Sequence, residues 1–109
     1  MDKELMDAFK LIADREEKEL ADLSNLIDEI VENNIQNERT ISEVFDLILS
    51  IVFIDDDEKR NVFHKLSNYC RSFNKELADD YDEILEEDLA DTLEEKKYKI
   101  ISKVYELVW

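Results

Sequence analysis

His64 and Cys70 are the side chains best suited to nucleophilic or acid–base chemistry, and their spacing keeps them apart. Residues six apart on one helix point roughly 240° away from each other, so no Cys–His pair forms. With a single histidine in the chain, no catalytic triad can be assembled elsewhere. His64 stands between Phe63 and Leu66 of an apolar stripe and reads as a flank residue. Cys70 lies on the stripe itself, where a free thiol behaves as a small hydrophobe. Metal chemistry fares no better. Carboxylate-bridged di-metal bundles use Glu-x-x-His pairs, and the residue three before His64 is Asn61. The run Asp79-Asp80-Tyr81-Asp82-Glu83 is rich in oxygen but lacks the central glycine of a calcium loop. The whole sequence has no glycine, so the Gly-rich turns that build phosphate cradles and oxyanion holes are missing. The expectation is a non-enzyme with no metal and no cofactor.

The remaining chemistry is charge. Glu76, Asp79, Asp80, Asp82, Glu83, Glu86, Glu87, Asp88, Asp91, Glu94 and Glu95 make eleven acids in twenty residues with no Lys or Arg among them. Glu76, Asp80, Glu83 and Glu87 step by four, three and four, which aligns them on one helical face. A helix of that length spans about 30 Å, or one charge per ~3 Å; duplex DNA carries about one per 1.7 Å. Like charges four apart destabilise a helix by a few tenths of a kcal/mol per pair. Solvation alone is the bland account of such a run. The alternative is that the repulsion is tolerated for the sake of a partner, and these eleven residues are then the candidate partner-binding surface.

Elements to position them follow from periodicity and caps. The first helix runs from about Asp2 to Asn34, with Met6, Phe9, Ala13, Leu20, Leu23, Ile27 and Ile30 on alternating steps of three and four. Glu16 fills the one polar slot, and the polar run Asp14 to Glu19 predicts a solvated or bent stretch. Asn33 and Asn34 end the helix, since Asn is the best left-handed residue when glycine is missing. Thr40-Ile41-Ser42-Glu43 has the form of a capping box and opens a second helix reaching about Ile54, apolar on every side and so central to a core or subunit contact. Asp55-Asp56-Asp57-Glu58 starts a third helix, capping its free N–H groups and complementing its dipole; that helix extends to about Glu87, with a bend in its pattern near Asn74. Its buried face is Phe63, Leu66, Cys70, Phe73, Leu77 and Ile84, and Lys59, Arg60, Lys65 and Arg71 lie in its first half. Thr92-Leu93-Glu94-Glu95 is a second capping box and starts a last helix carrying Ile100, Ile101, Val104, Tyr105 and Val108. Proline is absent as well as glycine, so only capping residues punctuate the chain. The prediction is an all-α, four-helix bundle-like assembly with two long and two short helices, one domain over residues 1–109.

Composition limits the partners. Thirty acidic against fourteen basic residues give −16, a charge that drives a protein from nucleic acid and anionic membranes and toward basic surfaces. No run approaches the roughly 20 apolar residues of a membrane span. No apolar signal segment follows Met1-Asp2-Lys3-Glu4, and the lone cysteine suits a reducing compartment, so a cytoplasmic location is expected. In size, helicity and charge the chain resembles small acidic inhibitors that occupy nucleic-acid sites on other proteins, as in phage anti-restriction, anti-CRISPR and uracil-glycosylase inhibitors. That likeness implies a basic partner such as a nuclease or other nucleic-acid-binding protein, with no direct binding of nucleic acid. Two other readings stand beside it: a helical adaptor or homodimer using the second helix with Tyr105, Leu107, Val108 and Trp109, and an antitoxin or immunity protein against a basic toxin.

Overall fold

The computed structural model describes residues 3–90, 101, 102, 105 and 106. They form four helices in the order α1 (Lys3–Glu32), α2 (Glu38–Leu49), α3 (Asp56–Arg71) and α4 (Lys75–Leu89), and no strand occurs among them. Ile101, Ser102, Tyr105 and Glu106 are helical. The second capping box and the three acids Asp91, Glu94 and Glu95 lie outside the described residues. The fold is all-α and bundle-like. α3 is its hub, packed against each of the other three helices, while α1 and α4 do not meet among the described residues.

Asn34 ends α1 as the amide composition predicts. It adopts φ 52°, and the N–H of Ile35 reaches back to the carbonyl of Ile30 at 3.0 Å, the bond pattern of a left-handed cap. The start of α2 is three residues earlier than the capping box implies. Asn37 is the cap, its side chain accepting from the Thr40 N–H at 3.1 Å. An Asn caps as well as a Thr, and the earlier start adds a turn of helix.

α2 also stops five residues short of Ile54, at Leu49, and tertiary contacts explain why. The N–H groups of Val52 and Phe53 both donate to Glu16 Oε2, each at 2.8 Å. Lys59 Nζ donates to the carbonyls of Leu49 and Ile51 at 3.3 and 2.7 Å. Side chains from α1 and α3 thus take the backbone groups that a longer helix would satisfy internally. The predicted all-round apolar helix becomes an amphipathic one that buries Ile41, Val44, Phe45 and Ile48, while Leu47 is 52% exposed. Its surplus apolar residues, Val52 to Ile54, lie half-buried in the loop.

Glu16 is itself a correction. The polar run Asp14 to Glu19 is not solvated throughout, because Glu16 is 1% exposed. Around it the buried phase of α1 is Ala8, Ile12, Glu16 and Leu20, followed by Ile27 and Ile30. Met6 is outside that phase and exposed.

The long third helix divides at Ser72–Asn74. The Asn74 N–H donates to the Cys70 carbonyl at 2.7 Å, closing α3. Its side chain accepts from the Leu77 N–H at 3.1 Å, opening α4. The division shifts the helical phase, so Ala78 and Leu85 face inward while Ile84, expected on the buried face, is 43% exposed. Phe45 sits at the centre, its ring 4.7 Å from Phe63 and stacked 4.4 Å from Tyr81. Offset ring pairs of this kind contribute about 0.5–1.5 kcal/mol beyond their burial, and this pair of contacts links α2 to both α3 and α4.

Candidate functional site

The acidic segment is carried by α4, and its acids divide into two rows. One row turns toward α3. Arg71 pairs with Asp79 at 3.1 Å and also with Asp82. Arg60 Nε pairs with Glu86 at 3.2 Å. Asp88 accepts from Lys59 Nζ at 2.9 Å. The cations come from α3, which the sequence places upstream of the acids with no sign that they return to meet them. Only the break at Asn74, which folds α4 back along α3, brings the two signs together.

The other row is Glu76, Asp80, Glu83 and Glu87. All four are exposed, and no ion pair reaches them among the described residues. They span eleven helical steps, about 16 Å, or one charge per ~5 Å. The raw count of one per ~3 Å therefore overstates the uncompensated density. The free row is nearer to one strand of DNA, at about 3.4 Å per charge, than to a duplex. Ile84 stands among these acids, one residue after Glu83 and three before Glu87, so the row carries an exposed apolar contact at its middle.

The ion pairs strengthen the cations. Glu86 raises the Arg60 pKa by hydrogen bond and charge, and Asp82 followed by Asp79 does the same for Arg71. Asp82 Oδ1 is buried and has no hydrogen-bond partner among the described residues; Arg71 holds the other carboxylate oxygen, and His64 Nε2 stands 3.8 Å from Oδ1. His64 is on a flank, 41% exposed, as its sequence position predicts. Cys70 is fully buried, and that burial pushes its thiol pKa up, with Glu38 adding to the effect. A thiol held neutral is a poor nucleophile. No cluster of three or more metal-ligating side chains occurs among the described residues. None of the helices described is long and apolar enough to cross a membrane.

A feature the sequence reading missed is the polar junction at the end of α2. Glu16 from α1 and Lys59 from α3, 1% and 3% exposed respectively, hold its amides and carbonyls, and Asp88 of α4 completes the Lys59 pair. The signals were present: a lone acid in an apolar phase, and a lysine one turn before Phe63. No family model matches the chain, and neither does any curated protein or solved structure.

Proposed function

We propose that the chain is a non-enzymatic binding module of the cytoplasm that occupies a basic, nucleic-acid-handling surface of a partner protein, presenting the α4 row as its contact. The observation that carries this reading is the split of the acids. Asp79, Asp82, Glu86 and Asp88 fasten α4 to α3, and Glu76, Asp80, Glu83 and Glu87 are left on an adjoining exposed face with no ion pair among the described residues. A charged row held on an anchored helix loses little conformational freedom on binding, which favours affinity. Exposed Ile84 adds an apolar anchor, and interfaces concentrate energy in such central contacts.

Capture of partners from a cell extract, followed by competition with single-stranded and duplex nucleic acid, tests the proposal. Displacement of the captured protein by nucleic acid, with loss of binding at high salt, supports it. A partner retained at high salt and indifferent to nucleic acid overturns it. An antitoxin would show the salt dependence without the competition. The adaptor or homodimer reading is favoured by exposed Leu47, Ile101 and Tyr105, and predicts an apolar contact that salt does not weaken.

A further inference from the structure

A groove of about 630 Å³ lies between α1 and the end of α2, bordered also by Glu106 and lined by no residue of α4. Ile12, Arg15, Glu16, Glu19 and Leu23 of α1 line one wall. Their spacing of three, one, three and four places them on a single face of the helix. Leu47 and Ser50, one turn apart, line the other wall. The apolar lining is Ile12, Leu23 and Leu47; the charged lining is acidic, with Glu19, Asp22 and Glu106 against Arg15, the one cation among the described lining residues. Glu16 is committed to the Val52 and Phe53 amides and contributes no free charge to that lining.

From this geometry we infer that the groove docks an amphipathic basic helix of another protein. Length, openness and charge select that occupant. From Ile12 to Leu23 the wall extends about 16 Å, three helical turns, which matches the i, i+3, i+4, i+7 anchor pattern of a helix laid in a groove. Small-molecule sites are concave and enclose most of their ligand, whereas this groove is only about half enclosed. Leu47 is 52% exposed although it borders a well-packed core. An apolar stripe on the incoming helix would cover Leu47 and Leu23, and its flanking Lys or Arg residues would meet Glu19, Asp22 and Glu106. The inference rests on none of the α4 acids, so it stands or fails separately from the proposed function.

The test uses the intact chain and a fourteen-residue model peptide with Leu at helical anchor positions and Lys elsewhere, alongside a control with Glu in place of Lys. Methyl NMR reports where the peptide binds, and fluorescence anisotropy reports how tightly. The Leu/Lys peptide should shift the Leu23 and Leu47 methyls, and the Leu/Glu peptide should not. Leu47→Lys should weaken binding about tenfold or more, as loss of a central anchor does, and the double change Glu19→Lys with Asp22→Lys should do likewise. Both substitutions fall on exposed positions, and circular dichroism confirms that the variants stay folded. Glu29→Gln with Glu32→Gln, exposed residues at the other end of α1, should leave the peptide affinity within about twofold, since surface charges remote from a contact contribute little. Shifts centred on Ile84, equal binding of both peptides, or no binding of either would overturn the proposal. So would concentration-dependent shifts of the Leu47 methyls in the chain alone, because a second copy would then be the occupant.

Discussion

Removing the Glu16 carboxylate gives the sharpest test of how α1 holds the end of α2. One oxygen accepts both the Val52 and Phe53 amides at 2.8 Å, and the residue is 1% exposed. A hydrogen bond to a charged group contributes about 1.5–3 kcal/mol, and an amide left unpaired when buried costs ~1–3 kcal/mol. Val52 and Phe53 are themselves only half-buried, so water can recover part of the loss. Glu16→Ala should therefore destabilise the protein by about 2–4 kcal/mol. Glu16→Gln keeps a carbonyl oxygen in place but loses the charge; charged acceptors bind roughly twice as strongly as neutral ones, so its cost should be about half that of the alanine. Urea unfolding followed by helical circular dichroism measures both, with the slope of the transition checking that compactness is unchanged. A cost for Glu16→Ala below about 0.5 kcal/mol, the ordinary range for an exposed site, would refute the claim that this side chain terminates α2.

Other expectations follow from the same contacts. Lys59→Met keeps the aliphatic stem but strips the ammonium from two carbonyls and Asp88; it should cost about 3 kcal/mol, with Asp88→Asn costing less because Lys59 retains both carbonyls, and equal costs in urea titrations would contradict this. Burial raises the pKa of the Cys70 thiol from 9.0 and of the Tyr81 phenol from 10.0. The fold thus holds those protons longer than the unfolded chain does. The contribution of these two groups to stability is intact below pH 9.0 and is lost as pH rises past it, and Cys70→Ala should flatten the start of that decline in urea midpoints measured against pH. With −16 net charge and an unpaired α4 row, the melting temperature should rise toward about 1 M NaCl, where charges are screened beyond ~3 Å; a flat or falling trend in scanning calorimetry would mean that the acids are compensated internally. Sedimentation equilibrium decides the homodimer reading: a single 13.0 kDa species ends it and means that the loop absorbs the apolar surplus of α2, and a stable dimer supports it.

The helical class was legible because the absence of Gly and Pro leaves little else for a 44% hydrophobic chain to form. Local signals carried the Asn34 cap and the acidic first turn of α3, although Asp55 makes no side-chain cap hydrogen bond there. Boundaries set by distant partners were not legible. Nothing near Leu49 says that its carbonyl will be taken by Lys59, ten residues on, or that Glu16 will claim Val52, thirty-six residues on. The acidic segment was legible as a charge run, but its division into a fastened row and a free row depends on the turn at Asn74. That turn sets which acids meet Arg60 and Arg71, and a continuous helix would have left them all in solvent. Ile84 was misplaced for the same reason.

The central claim is that the α4 row, and not net charge in general, recognises a basic partner. Two triple variants with the same net charge separate these. One reverses Asp80, Glu83 and Glu87 to Lys; the other reverses Asp7, Asp14 and Glu17, exposed residues of α1. The measurement is the association rate of each with the captured partner, across a salt titration. The account predicts that the α4 variant loses most of its association rate while the α1 variant keeps it, since a charged row steers encounter. Equal losses in the two variants, or no loss in either, would contradict it.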